Sequence, residues 1–202
     1  MIAQTKTGCR SALLAARRAV PEAVHRAEAE QLCAHLIDIV RDGRTVCAYL
    51  PVGTEPGSAA LLERLRELCE VVLLPVTRTG ADGEHLPLWW GEYVPGTLIA
   101  AKFGLREPAP PWLEPTAIAQ ADVVLVPALA VDRAGARLGR GGGFYDRSLP
   151  LCTPGTRLVA VVRGSEIIDS LPSEPHDVRM THALTPAAVS YTHLTLPTTP
   201  YV

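Results

Sequence analysis

Apolar and polar positions along the chain follow two alternating patterns. Four short runs are apolar at nearly every position, which is typical of strands buried on both faces of a sheet: residues 45–50, 71–76, 122–130 and 157–163. The segments between them have the composition and end signals of helices, and predict helices over residues 6–18, 21–40 and 59–69 and a short one from residue 144. Weaker patterns predict two more strands, at residues 86–90 and 180–184.

This order of elements predicts an α/β fold with three layers, in which helices cover both faces of a mostly parallel sheet. No repeat or change of composition divides residues 1–189, so we expect them to form one domain. Ligands of such sheets bind at the carboxyl ends of the strands. Residues 190–202 differ, because they are rich in Thr and Pro and carry no Asp, Glu, Lys or Arg. We interpret them as a non-native or disordered tail without a functional role.

Composition and charge narrow the class of protein. The 19 Lys and Arg residues against 21 Asp and Glu give a net charge of −2, which argues against a broadly basic nucleic-acid binder. The longest apolar run has nine residues, at 123–131, whereas a membrane helix needs roughly 20. The five cysteines are odd in number and none is spaced as in a metal knuckle, which favours a reducing compartment. We expect a cytoplasmic protein that binds neither nucleic acid nor membranes.

Glycine is concentrated in residues 132–147, which follow the strongest predicted strand and lead into a helix. Five of the 16 glycines lie there. A backbone without Cβ atoms can turn its N–H groups around an anion, the helix N-terminus adds partial positive charge, and Arg137 and Arg140 add charged donors. These arginines favour a phosphate site over a flexible linker or hairpin. The segment is neither a Walker loop nor a dinucleotide fingerprint, since it lacks Gly-Lys-Ser/Thr and has Phe144 where the third glycine would stand.

Two carboxylates near these features are open to more than one interpretation. Asp146 lies one turn into the predicted helix, where it could complement the helix dipole or hold Mg²⁺ beside a phosphate. Glu55 precedes Pro56 and Gly57, and could cap a turn or accept hydrogen bonds from a ligand. The residues alone leave both alternatives open.

Five motifs in the same order resemble those of one enzyme family. RLGRGGGFYDR at residues 137–147, preceded by residues 126–132, resembles the signature of 5-formyltetrahydrofolate cyclo-ligases, also called methenyltetrahydrofolate synthetases. Four further segments are similar to the family's other motifs: KTGCR at residues 6–10, YLPVGTE at 49–55, FGLREP at 103–108 and LPSEPHD at 171–177. The resemblance extends over about residues 6–186.

The resemblance implies a reaction and a fold. ATP would phosphorylate the formyl oxygen of 5-formyltetrahydrofolate, and N10 would then close the ring to give 5,10-methenyltetrahydrofolate, ADP and phosphate. It also implies Mg²⁺ and a fold similar to the sugar-phosphate isomerase and CoA-transferase group, and we expect a monomer. Two alternatives remain: a non-catalytic relative that binds nucleotide or folate in a regulatory or salvage role, and a phosphosugar isomerase.

The resemblance also implies roles for individual residues. ATP would be bound by Lys6, Thr7, Gly8, Cys9, Arg10, Arg137, Leu138, Gly139, Arg140, Gly141, Gly142, Gly143, Phe144 and Tyr145. The folate would be bound by Arg10, Val52, Glu55, Arg140, Gly141, Gly142, Gly143 and Phe144. Mg²⁺ would be held by Asp146 and Asp177. The catalytic residues would be Lys6, Arg10, Arg140 and Tyr145.

Some positions differ from the family pattern. Phe144 stands where Tyr is common, which removes a hydroxyl but keeps a ring face. Thr181 stands where relatives often carry Asp, so a late carboxylate is missing. The basic residues before Glu22 are also typical of a transit peptide or a solvated basic face, but the match at Lys6 and Arg10 favours a part of the mature enzyme.

Overall fold

The structure of the protein is a computed structural model that describes residues 5–41, 43–174 and 177–191. Its helices are α1 (Lys6–Arg18), α2 (Glu22–Val40), α3 (Ala60–Leu68) and α4 (Phe144–Ser148). Its strands are β1 (Thr45–Cys47), β2 (Val71–Val76), β3 (Trp89–Glu92), β4 (Ile99–Ala100), β5 (Arg106–Glu107), β6 (Val123–Pro127), β7 (Ala130–Asp132), β8 (Arg137–Leu138), β9 (Arg157–Val161), β10 (Ile167–Ile168), β11 (His182–Leu184) and β12 (Val189–Tyr191). Short 3-10 turns lie at Lys102–Gly104, Pro115–Gln120, Leu149–Leu151 and Gly164–Glu166.

A seven-stranded sheet forms the centre of the molecule, in the order β12-β11-β9-β6-β1-β2-β3. Its inner strands are parallel, with Val46 of β1 opposite both Val72 and Val123, while β12 and β3 are antiparallel at the two edges. Two smaller sheets accompany it: β10-β7-β8 and β4-β5. The predicted α/β fold with a mostly parallel sheet is confirmed.

Successive residues of the central strands alternate between two cores. In β6, Val123 and Leu125 pack with side chains of α2 and α3 in the first core. Val124 and Val126 pack in the second core, with residues of the 3-10 turns at Pro115–Gln120 and Leu149–Leu151. Because both faces are buried, the strands are apolar at every position. The second face is covered mainly by short turns and α4, so long helices lie on one face only.

A third core lies beneath α1. Cys9 of α1 packs with Leu129, Ala130 and Leu138 around the β7-β8 hairpin. Apolar burial therefore continues past the end of β6, although the chain has left the central sheet. This explains why the strand predicted over residues 122–130 is divided into β6 and β7: an apolar pattern reports burial and does not indicate which sheet buries the residue.

The segment predicted as a glycine-rich loop contains the β7-β8 hairpin. Asp132 closes its turn, since Oδ1 accepts hydrogen bonds from Ala134 N at 2.9 Å and Ala136 N at 2.8 Å. Its other oxygen accepts from Leu171 N at 2.9 Å. This buried carboxylate therefore aligns β8, which carries Arg137.

At the carboxyl end, β12 takes Val189–Tyr191 into the central sheet, including the first two residues of the predicted tail. Residues 192–202 lie outside the described residues. Within the described part of the chain, no helix is long and apolar enough to cross a membrane.

Candidate active site

A cavity of about 430 Å³ opens where the carboxyl ends of three central strands meet the glycine-rich segment. Its walls include Tyr49 after β1, Thr77 after β2 and Ala128 after β6, together with residues 139–146. Parallel strands bring their carboxyl ends to the same edge of the sheet, which is where ligands of α/β proteins bind. The cavity therefore lies where the fold class predicts.

The glycine-rich segment runs along the cavity from the end of β8 to the start of α4. Gly141 and Gly143 have φ values of +98° and +70°, a backbone region in which other residues are strained. Arg10 Nε donates to Gly139 O at 2.9 Å, which joins α1 to the segment. Because α4 has only five residues, it supplies little of the helix dipole that the sequence predicted, and anion binding depends on the loop and its arginines.

Arg137 is the most buried cation of the segment. Its side chain is 8% exposed and Nη2 forms an ion pair with Asp146 Oδ1. Its guanidinium lies 5.8 Å from the ring centroid of Tyr145. Burial lowers the pKa of Arg137 and the Asp146 carboxylate raises it, but a guanidinium remains charged in proteins. Arg137 is thus a fixed positive charge on the cavity wall.

Lys6 lies at the first turn of α1 beside a late acidic segment. Lys6 Nζ is 3.4 Å from Asp177 Oδ2 and 3.5 Å from Glu174 Oε1. The charge of Asp177 also acts on Arg137. Neither Lys6 nor Arg10 lines the cavity itself, so α1 approaches the site through Asp177 and the glycine-rich segment.

The two predicted magnesium ligands can be tested against this geometry. Asp146 and Asp177 both interact with Arg137, and no group of three or more metal-binding side chains occurs among the residues described. Mg²⁺ at nucleotide sites is held by one or two carboxylates together with phosphate oxygens and water, so this pair fits such a site. Thr181 lies elsewhere: its Oγ1 accepts from Leu158 N at 2.9 Å and lies outside the cavity lining.

Glu55 also lines the cavity, in the turn after β1. It is 8% exposed, its Oε2 accepts from Val52 N at 3.0 Å, and its Oε1 is 3.1 Å from Arg140 Nε. Glu55 therefore caps its own turn and also faces the cavity, so the two interpretations of this residue are compatible. The Arg140 pair joins the turn to the glycine-rich segment.

Part of the cavity wall comes from the irregular middle of the chain. The ring of His85 stacks on Phe144 at a centroid distance of 4.2 Å, and His85 Nδ1 lies 2.5 Å from Gly142 O. Glu107 lines the same wall, and its Oε1 accepts from Thr77 N at 2.8 Å and Thr77 Oγ1 at 2.6 Å. The weakly patterned residues between β2 and β6 thus contribute to the site.

Several residues of the predicted site do not line the cavity. Cys9 and Leu138 pack in the third core, and Thr7 and Gly8 are exposed on α1. The predicted residues that the structure brings to the cavity are Val52, Glu55, Arg137, Gly139, Arg140, Gly141, Gly142, Gly143, Phe144, Tyr145 and Asp146.

The lining residues that sequence analysis missed include Arg17, Tyr49, Thr77, His85 and Glu107. Tyr49 and Thr77 follow central strands, so the rule on carboxyl ends could have identified them. Glu107 lies in the family motif at residues 103–108, which could have identified it. No comparable signal marks Arg17, because nothing in its local sequence shows that this charge is buried.

Known proteins of similar sequence share one description. A protein of Mycolicibacterium smegmatis described as 5-formyltetrahydrofolate cyclo-ligase is 60% identical over 186 residues, which cover 92% of this chain and 96% of that protein. An Escherichia coli protein with the same description is 31% identical over 72% of this chain and 79% of its own length.

Two solved structures are similar in fold. A 5,10-methenyltetrahydrofolate synthetase of Aquifex aeolicus superposes with a TM-score of 0.77 at 23% identity, over 94% of this chain and 93% of that one. A 5,10-methenyltetrahydrofolate synthetase of Mycoplasma pneumoniae has a TM-score of 0.69 at 19% identity, over 91% of this chain and 99% of that one. Residues 2–186 also match the sequence model of the 5-formyltetrahydrofolate cyclo-ligase family. On this match and the sequence identities, the chain belongs to the 5-formyltetrahydrofolate cyclo-ligase family.

Proposed function

We propose that the protein converts 5-formyltetrahydrofolate to 5,10-methenyltetrahydrofolate, with cleavage of ATP to ADP and phosphate. One observation carries the proposal: a single cavity is lined both by the glycine-rich segment with Arg137 and Arg140 and by Glu55, which pairs with Arg140. Anion-binding and folate-binding groups thus face a common space. Membership of the cyclo-ligase family supports the same activity.

The phosphates of ATP would bind along residues 139–143. The buried Arg137, just before this segment, and the half-exposed Arg140, within it, supply charged donors. Lys6 and Arg10, one turn apart on α1, add two further cations at the rim. Mg²⁺, held by Asp146 and Asp177 with phosphate oxygens, would neutralise part of the phosphate charge.

The reduced pterin would lie between Glu55 and the apolar walls formed by Leu50, Leu74 and Leu88. Each oxygen of Glu55 has a protein partner but keeps further acceptor capacity, which suits the N–H groups at the edge of a pterin. Phe144 adds a ring face beside His85.

In the proposed reaction, the formyl oxygen attacks the γ-phosphorus and ADP leaves. N10 then attacks the formyl carbon and the ring closes, N10 loses its proton, and the C–O bond to phosphate breaks so that phosphate leaves. Transfer of a phosphoryl group requires mainly alignment and neutralisation of charge, since little covalent chemistry falls to the protein. Arg137, Arg140 and Lys6 would supply the charge, and the cavity walls would supply the alignment.

We also propose that the enzyme is a cytoplasmic monomer. Its five cysteines are free thiols, which is typical of proteins in a reducing compartment. Its net charge of −2 supports a small-molecule substrate over nucleic acid.

Mixing the purified protein with MgATP and 5-formyltetrahydrofolate tests the activity. We expect the near-ultraviolet absorbance of the methenyl product to rise, with one ADP released for each product formed. Folded protein that binds ATP in calorimetry but releases no ADP in the presence of folate would contradict the proposal and favour the non-catalytic alternative.

A further inference from the structure

Two tyrosines of the cavity wall have a hydroxyl without a hydrogen-bond partner among the residues described. The oxygens of Tyr49 and Tyr145 are both inaccessible to solvent and unpartnered. Both residues belong to the cavity wall, whereas the remaining buried atom of this kind, Trp90 Nε1, lies in the second core. Proteins rarely bury a polar group without satisfying it, so an unpartnered hydroxyl at a cavity points to a ligand or a bound water.

Tyr49 is held rigidly in its position. It follows β1, an inner strand that pairs with β2 and β6, and Ala48 N donates to Leu73 O at 2.8 Å. The side chain is almost wholly buried in the first core. The hydroxyl therefore cannot turn to solvent for a partner.

The neighbours of Tyr49 make its hydroxyl a donor. Burial raises the pKa of Tyr49 well above its usual value, and the Glu55 carboxylate raises it further, so the phenol keeps its proton. Arg17, the nearby cation, is occupied: Nε donates to Glu166 Oε1 and Nη2 to Ala128 O, each at 2.6 Å.

The same end of the cavity thus offers one hydroxyl donor and one carboxylate acceptor. A complementary ligand edge has a carbonyl oxygen next to N–H groups, which is the pattern at the lactam and amino edge of a pterin. Tyr145 also interacts with Tyr49 and Glu55, but its ring lies 5.8 Å from the Arg137 guanidinium as well, so it borders both this end and the phosphate-binding segment.

We propose that the Tyr49 hydroxyl donates a hydrogen bond to the ring carbonyl of the reduced pterin, beside the N–H groups that Glu55 accepts. Tyr49 is then a folate-binding residue. The inference rests on the proposed function, since it assigns the folate to this end of the cavity.

Tyr49→Phe tests the proposal, because it removes the hydroxyl and keeps the ring. Calorimetric titration with 5-formyltetrahydrofolate should show about tenfold weaker binding, the usual effect of leaving one buried acceptor without its donor. The Kd for ATP should not change. The unfolding temperature of the ligand-free protein should be equal or higher, because the hydroxyl has no partner within the fold.

Tyr93→Phe is the matched control. Tyr93 is also buried, but its hydroxyl donates to Glu63 Oε1 at 2.6 Å and it does not line the cavity. This variant should be less stable than the wild type and bind the folate equally well.

The outcomes separate the two proposals. Equal folate Kd values for the wild type and Tyr49→Phe would overturn the role of Tyr49 while leaving the cyclo-ligase function intact. An equal loss of ATP affinity would also overturn it, since the hydroxyl would then lie on the nucleotide side. Wild-type protein that binds no folate would overturn both.

Discussion

At the scale of single residues, the charges of the site are arranged in pairs, two of which join distant parts of the chain. Arg137 pairs with Asp146, Arg140 with Glu55, and Lys6 with Asp177. Each of these cations lies beside a carboxylate, so a site rich in cations is compatible with a net charge of −2 for the whole chain. Removing one member leaves its partner uncompensated as well as removing a contact.

Lys6→Ala should reduce turnover by about 100-fold or more, which is typical when a group that stabilises transition-state charge is lost. The control is Lys102→Ala, because Lys102 Nζ contacts only an exposed hydroxyl, Thr79 Oγ1 at 3.2 Å. The turnover assay with saturating MgATP measures both variants. Wild-type turnover in Lys6→Ala would mean that Lys6 does not act on the phosphates.

At the scale of elements, the sequence predicted the helices accurately but missed some short strands. Helices α1, α2 and α3 lie within one residue of their predicted bounds, because caps and helix periodicity are local properties of the sequence. The β7-β8 hairpin and its partner β10 were not predicted. Their strands have only two or three residues, too few to show a pattern. In addition, β7 pairs with β10 far along the chain, as Val131 does with Ile167, and no local pattern records that contact.

One side chain aligns two neighbouring strands at their start. Asp122 precedes β6, and its Oδ2 accepts from Arg44 N at 2.7 Å and Thr45 N at 3.0 Å at the start of β1. The Thr45 hydrogen bond lowers the pKa of the Asp122 carboxyl below its usual value, with help from Arg44 N. A lowered pKa means that the carboxylate stabilises the fold above its unfolded pKa of about 3.9, and that this stability is lost as the pH falls through the folded pKa.

Asp122→Ala should lower the free energy of unfolding by about 1 kcal/mol at pH 7, since the site is exposed and screened. The difference from the wild type should shrink as the pH falls below about 4. Urea denaturation across this pH range measures it. Asp169→Ala is the control, because Asp169 is 94% exposed in its pair with Arg133 and should have little effect at any pH. A pH-independent difference for Asp122→Ala would contradict the role of its charge.

At the scale of the whole molecule, a buried charge network joins parts of the chain that border the cavity. Arg17 of α1 binds Glu166, and the Arg163 N–H donates to the same carboxylate at 2.8 Å. Arg163 also donates to Glu28 of α2 at 2.7 Å and to Thr54 O at 3.2 Å, in the turn that carries Glu55. The network thus connects α1 and the turn that carries Glu55 through Glu166 and Arg163.

Glu166→Gln should lower the free energy of unfolding by about 3–5 kcal/mol, because it leaves two buried arginines short of a counter-charge. The matched control is Glu22→Gln, whose pair with Arg26 is exposed and should be worth at most about 1 kcal/mol. Urea denaturation of both variants makes the comparison. Equal losses would show that Glu166 is not the centre of the network.

The sequence by itself determined the fold class, the helices, the family motifs and the position of the glycine-rich segment between two elements. All of these depend on composition and spacing within short stretches. Only the tertiary structure decided that Glu55 faces Arg140, that Lys6 lies beside Asp177, 171 residues away, and that Tyr49 lines the cavity with its hydroxyl unpartnered among the residues described. The physical reason is that distance and burial between remote residues depend on how the parallel strands are ordered and covered, and no stretch of sequence contains that order.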